Sequence, residues 1–257
     1  MLKKYLQFTA SFFIFLLIIA LIFFAFYIDF GQGAAKKAGT ASEILVFEES
    51  DSINVLIIVV NDNKKADTIM LAHVDAVNLL ISVKLLDMQE KFRYYDGEKT
   101  LSELYDYASV DAVNEAYKLK HEKTIDRYIK LSYNDLSDII DILGGIYYDI
   151  TEYIDHKEED FPLKLYAGRQ YISGNKAVAL IKYNIAKGNE QIKPLIFKEI
   201  INQNIAKAEQ KPHFLFLNII NKIKTDMGIS DKEKYKPLIM LLAKKEDPCI
   251  IDLGCVR

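Results

Sequence analysis

The sequence predicts an α/β domain, with a central mixed or antiparallel sheet covered by helices, preceded by one transmembrane helix. Three observations predict it. Tyr5 to Ile28 carries no charge and is dominated by Phe, Ile, Leu and Ala; at about 1.5 Å per residue a helix of that length covers the roughly 30 Å hydrocarbon core of a bilayer. Between Ile53 and Leu86 the chain reads as short β-branched and aliphatic runs broken by polar turns, the pattern of strands. From Leu101 the apolar positions recur at three- and four-residue steps, the period of a helix face.

The first segment predicts a retained anchor over residues 5–28. Lys3 and Lys4 give a basic start and Gly33-Ala34-Ala35 supplies small residues, as in a cleavable signal peptide, but the apolar part of such peptides runs only about 7–15 residues. Tyr5 and Tyr27 fall where interfacial aromatics sit, and the basic end keeps residues 1–4 in the cytoplasm. The soluble part is then extracytoplasmic, tethered to the cell membrane by a single pass. Of 257 residues 51% are hydrophobic, which excludes disorder as the general state. The net charge is −3, and −5 outside residues 1–28, whose only charges are Lys3 and Lys4. An acidic outer domain makes no nucleic-acid partner.

Gly31 to Ser42 is small and polar without an apolar period, so residues 29–43 read as a linker and 44–257 as the domain. Ile53 to Val60 predicts a strand buried on both faces. Asn61 to Lys64 predicts its turn, and Thr68 to Val74 and Leu79 to Leu86 two further strands of an antiparallel meander. Leu101, Leu104, Tyr105, Ala108, Ala112 and Ala116 predict one helix, with Thr100 or Ser102 as its cap. A short strand follows at Tyr128 to Leu131, then a helix over Leu136 to Leu143 capped by Asn134 or Asp135 and stopped by Gly144-Gly145. Ile146 to Ile150 alternates as a strand. Ser173 caps a helix through Ile181, and helical patterns over Ile196 to Ala208, Phe214 to Ile223 and Lys234 to Ala243 predict that the C-terminal part, 208–257, is helical. No internal repeat is present.

Cys249 and Cys255 lie close together and an exported location permits a disulfide between them, although two incidental tail thiols are the simpler reading. His73, His121, His156 and His213 are scattered singly, without the spacing of a metal site. Nucleophile motifs and Gly-rich nucleotide loops are absent. The informative cluster is Asn61-Asp62-Asn63-Lys64-Lys65-Ala66-Asp67. A turn across 63–66 makes Asp62 and Asp67 an opposed hairpin pair, about 4.5–5.5 Å apart at Cβ. Two such carboxylates suit magnesium, which takes one or two protein carboxylates and completes its shell with water and phosphate; a solvated polar turn is the alternative.

Ile53 to Ile58, the acidic turn, Lys65 to Leu71 and Val74-Asp75 resemble the opening of the LytR-CpsA-Psr family. The resemblance continues in order through Asp126 to Ile129, Leu136 to Leu143 with Gly144-Gly145-Ile146, Ala167-Gly168-Arg169-Gln170 with Gly174 and Ala177, and Lys224-Thr225-Asp226. It implies an outer domain that transfers glycopolymers from polyprenyl pyrophosphate carriers to the peptidoglycan wall of Gram-positive bacteria. It further implies magnesium on Asp62 and Asp67. The family's Pro-Arg-Asp falls on Leu85-Leu86-Asp87, its Arg-x-Arg on Lys182-Tyr183-Asn184, its Arg-x-Asp-Thr arginine on Lys65, and a later arginine pair on Glu190 and Lys193.

Catalytic roles implied by the resemblance then rest on Asp62, Asp87 and Lys182, and pyrophosphate contacts on Lys65, Lys84, Lys182 and Lys193. Lys84 enters because it lies two residues before Leu86, on the same strand face; a snorkelling lysine is its other reading. Every motif arginine is replaced. The chain holds only four arginines, Arg93, Arg127, Arg169 and Arg257, and lysine supplies charge without the planar fork that grips a pyrophosphate. The sequence therefore supports two functions: a magnesium-dependent glycopolymer transferase, and a catalytically inactive binding or scaffolding module of the same fold.

Overall fold

The computed structural model describes residues 46–95, 97–157, 161–210 and 217–252. The expected anchor at 5–28, the linker at 29–43, His213 and Cys255 lie outside these residues, as do 214–216 of the expected helix at Phe214 to Ile223. In chain order the strands are β1 (Ile53–Val60), β2 (Ala66–Asp75), β3 (Leu80–Leu85), β4 (Lys91–Tyr94), β5 (Gly97–Thr100), β6 (Arg127–Ser132), β7 (Ile146–Ile150), β8 (Ile154–His156), β9 (Leu163–Leu165), β10 (Gly168–Ile172), β11 (Lys224–Thr225) and β12 (Cys249–Ile251). The helices are α1 (Leu101–His121), α2 (Tyr133–Ile142), α3 (Gly174–Ala186), α4 (Ile192–Gln210) and α5 (Ile229–Leu242).

Every residue of β1 except Asn54 is buried, because the strand is central in a six-stranded sheet of order β11-β6-β1-β2-β3-β12. The expected meander forms: β1, β2 and β3 pair antiparallel in sequence. The sheet is mixed, since β6 joins β1 parallel and β12 joins β3 parallel. Alternation along β1 divides the core. Val55, Ile57 and Val59 pack with α2, α3, α4 and α5, whereas Leu56, Ile58 and Val60 pack with α1 and the β4–β5 hairpin. Each fully buried Leu, Ile or Val contributes about 1.5–3 kcal/mol, so both faces of β1 hold the domain together.

Several elements depart from the expected ones. Helix α2 starts earlier, at Tyr133, with Ser132 and not Asn134 or Asp135 as its cap. Ser132 ends a strand with extended backbone, and its hydroxyl accepts from Asp135 N while the Asp135 carboxylate accepts from Ser132 N, a reciprocal capping box. Thr100 caps α1 in the same way with Glu103. That helix is broken at Ala108 and at Ser109, where φ is 57°, so its apolar positions belong to two helical stretches rather than one. Gly144 and Gly145 both take positive φ, as a helix stop requires, and Lys207 reaches the Leu143 carbonyl there.

The C-terminal part is not wholly helical. Its segments Lys224–Thr225 and Cys249–Ile251 are the two edge strands of the main sheet, too short for any periodicity to show. The Asn202 side chain fixes β12, accepting from Cys249 N at 2.7 Å and donating to Cys249 O at 3.0 Å. Cys249 itself is a buried free thiol, and burial pushes its pKa up to about 12, which keeps it protonated and unreactive.

Arg127 ties β6 to α5: its Nη2 and Nε donate to Asp231 Oδ1 at 2.6 and 3.1 Å, and Asp231 Oδ2 accepts from Gly228 N at the start of α5. These bonds hold the Asp231 carboxyl below the ordinary carboxylate range, Arg127 first and the Gly228 amide second. A depressed folded pKa means stability that is complete above the unfolded value, near about 3.9, and lost as pH falls through the folded value. Between pH 5 and pH 3 the wild type is therefore expected to lose more stability than Asp231→Asn, measured as urea midpoints; equal losses would show that this pair does not control acid sensitivity.

Candidate functional site

The site is assembled where parallel strands β1 and β6 end, since helices that follow such strands leave a crevice at their carboxyl ends. After β1 the chain turns on Asn61, whose Oδ1 accepts from the amides of Asn63 at 3.0 Å and Lys65 at 3.1 Å. Val60 pairs with Ala66 and Val59 with Thr68, which leaves Asp67 as an extra, bulged residue. A bulge re-aims a side chain. Asp67 consequently turns toward α2, where it accepts from the Tyr133 hydroxyl and from Thr68 Oγ1 at 3.3 Å.

The expected opposed pair does not form. Asp62 lies in the exposed turn, while the hairpin pairing passes directly from Val60 to Ala66 and excludes Asp67. Nothing in composition marks a one-residue bulge, so the flanking geometry was not readable from the spacing.

Lys193 completes the cluster. Its side chain is only 6% exposed, and its Nζ lies 3.6 Å from Asp67 Oδ2 and 3.4 Å from the Asp67 carbonyl oxygen. The same ammonium pairs with Glu190. Lys193 is in the first turn of α4, where the helix dipole disfavours a cation; the two carboxylates supply the compensating charge. Lys182, on α3, holds its ammonium 5.8 Å from the centre of the Tyr133 ring, within cation–π range, and makes no ion pair among the described residues. Burial, and then the bond to Asp67, push the Tyr133 hydroxyl far above its ordinary pKa, so it remains a proton donor to Asp67.

The structure thus brings together Asp67, Lys182 and Lys193 and adds Tyr133, which the sequence reading missed. Its signal was the Ser132–Asp135 capping box, which puts the first helical residue directly after a parallel strand. Lys65 stands apart in an exposed pair with Asp106 at 3.5 Å. Asp87 is exposed in the turn after β3, where it accepts from Gln89 N at 2.9 Å. Lys84 pairs with Leu71, whose side chain packs on the α1 face, so Lys84 is on the face of the sheet opposite Tyr133 and Lys193.

The positions that lack the motif arginine have structural duties. Leu86 is 4% exposed in the α1-side core. Asn184 Nδ2 donates to Leu180 O at 2.9 Å and its Oδ1 accepts from Asn189 at 3.1 Å, closing the end of α3. Glu190 is occupied by Lys193.

Magnesium, which the resemblance implies, does not fit the Asp67 cluster. The Asp67 carboxylate already faces two hydroxyls and an ammonium. Two unit charges about 4 Å apart interact by about 4 kcal/mol near a protein surface, and a divalent ion beside Lys193 would double that repulsion.

On the Tyr133 face, but toward the other end of β1, there is an apolar cavity of about 390 Å³ between Ile53, Val55, Ile129, Ile219, Ile223 and Met240. That volume is within the range of ligand pockets. Its lining includes neither Asp67, Tyr133 nor Lys193.

A search of solved structures finds the same fold in several proteins. A putative transcription regulator from Eubacterium siraeum matches with a TM-score of 0.70 at 15% identity, over 84% of this chain and 88% of its own. TagV of Bacillus subtilis matches at 0.65 and 14% identity, over 81% and 86%. TagT, solved bound to LI-WTA, matches at 0.61 and 13% identity, over 85% of each chain. No curated protein matches. The model of the LytR_cpsA_psr family matches residues 27–236, a span that contains β1 to β11, the Asp67 cluster and most of α5, and the chain accordingly belongs to that family.

Proposed function

We propose that this protein is a membrane-anchored component of the cell envelope that handles glycopolymers linked to polyprenyl pyrophosphate. The observation that carries the reading is the grouping of Asp67, Tyr133, Lys182 and Lys193 at the carboxyl ends of β1 and β6 in a LytR_cpsA_psr domain. The pyrophosphate would meet the Lys182 ammonium, with Lys65 free to swing from its exposed, weakly held pair. Asp67, fixed by Tyr133 and Lys193, would accept the proton of a wall-sugar hydroxyl as its oxygen bonds to the sugar-side phosphorus, and the phosphoanhydride bond would break with polyprenyl phosphate as the leaving group. The prenyl chain is apolar, and the cavity beside Ile53 and Ile129 offers it an apolar wall on the same face. TagT bound to LI-WTA shares the fold, which supports a ligand of this class.

Leu86, Asn184 and Glu190 favour a second reading, a binding or scaffolding module without turnover, because the resemblance puts an arginine at each position and each side chain instead serves the packing or bonding of the fold. One experiment separates the two. The full chain in detergent is given a polyprenyl-pyrophosphate glycan and a wall acceptor, beside a competent family member and Asp67→Ala. Transfer that falls at least about a hundredfold in Asp67→Ala, the scale of a lost general base, establishes the transferase. Saturable binding without transfer, while the control turns over, establishes the module, and absence of both would refute the ligand class.

A further inference from the structure

We infer that in this chain the Lys193 ammonium takes the place of a divalent cation, so that the Asp67 site is loaded with a built-in positive charge and binds no metal. Three observations converge on it. Lys193 is 4% exposed, and a lysine so buried needs partners of opposite charge. Its Nζ has two: the Asp67 carboxylate at 3.6 Å and the Glu190 carboxylate in direct contact. It also lies 3.4 Å from the Asp67 carbonyl oxygen. Two carboxylates and a carbonyl around one point are hard oxygen donors, the set that a magnesium ion would use, and here an ammonium fills it.

The electrostatics are consistent. Asp67 and Glu190 would repel each other across an empty point, and one cation between them removes that repulsion. Lysine delivers the charge from α4 without a shell of water, at the cost of a helix first turn that disfavours cations. The resemblance places an arginine pair on Glu190 and Lys193, so the cation at 193 is kept as lysine and the change is the acid at 190, which adds a second carboxylate to that cation. The inference rests on the proposed function for what the site holds but not for what fills the carboxylates.

Titration with manganese as a magnesium surrogate, followed by the electron paramagnetic resonance signal of free Mn²⁺, tests it on the full chain in detergent without any glycan. Wild type and Asp67→Asn are expected to give superimposable titrations. Lys193→Ala, which leaves Asp67 and Glu190 facing each other, is expected to gain one site with at least tenfold tighter affinity, and Lys193→Ala with Asp67→Asn to lose it again. Stoichiometric Mn²⁺ binding by the wild type that Asp67→Asn abolishes would overturn the inference, and this comparison stands even where Lys193→Ala does not fold. A folded Lys193→Ala that gains no site would overturn it equally. Because no lipid is present, failure here leaves the glycopolymer reading to its own assay.

Discussion

Gly174→Ala is expected to destabilise the domain by about 3 kcal/mol or more, at or beyond the upper end of the usual overpacking range. Gly174 is the first residue of α3 and lies against α2. A methyl group there would stand 1.9 Å from the Ser137 carbonyl oxygen, 2.6 Å from its carbon and 2.8 Å from its Cα. These are backbone atoms of a helix, so no rotamer change relieves them. Separating the helices would also stretch the bond from Gly174 N to Asp141 Oδ1, now 2.8 Å. For a domain of this size the loss corresponds to a fall in melting temperature of roughly 6–12 °C. Gly228→Ala is the control: its added carbon would meet nothing closer than Ser230 Oγ at 3.8 Å, so the effect is expected to stay within about 1 kcal/mol. Equal melting temperatures for the two variants would show that α2 and α3 are not in the close approach described.

Restoring an arginine at position 86 is expected to damage the protein and to leave ligand binding unimproved. Leu86 is 4% exposed and packs with Phe92, Leu101 and Leu104 beneath α1. Truncating a buried leucine costs about 2–5 kcal/mol, and an uncompensated buried charge costs about 3–5 kcal/mol. Even with partial escape of the guanidinium along its stem, Leu86→Arg should lose at least about 4 kcal/mol, read from urea denaturation. Leu86→Met, of similar volume, should lose less than about 1.5 kcal/mol. A stable Leu86→Arg variant with tighter pyrophosphate binding would mean that this position faces the site after all. The contrast matters for function, because it separates a site that has lost an arginine from a core that has gained a leucine.

The parts of this fold that were legible share a physical reason: their signal is local. Ile53 to Val60 is buried on both faces, and its apolar, largely β-branched run, interrupted only by Asn54, says so. Gly144-Gly145 needs positive φ, and glycine is the residue that takes it at least cost. The parts that were not legible depend on partners distant in sequence. The strands at Lys224–Thr225 and Cys249–Ile251 exist only because β6 and β3 offer free edges. Ser132 caps α2 because β6 delivers it in extended backbone, a fact the sequence reading of Asn134 and Asp135 could not weigh.

The site follows the same division. Asp67 could be singled out by resemblance, but its direction depends on a bulge, and its partners Tyr133 and Lys193 come from α2 and α4. The resemblance names Lys193 beside Lys182, whereas the burial of Lys193 and its pairing with Asp67 and Glu190 follow from how α4 meets β2. Lys84 shares the face of Leu86, as its two-residue spacing predicts, and its pairing with Leu71 places that face opposite Tyr133 and Lys193.

The parallel pairing of β12 with β3 has a consequence for how the protein is made. Strand β3 emerges with residues 80–85, and its outer edge is closed only by residues 249–251. Throughout the interval in which the intervening chain is synthesised, a row of backbone donors and acceptors beside Ile81 and Val83 remains open to any other strand. Such late, non-local closure slows folding and prolongs exposure to aggregation. Until residues 249–251 arrive, that edge is a template on which a strand of another chain can pair, so the last strand of the sheet is also what closes it to its neighbours.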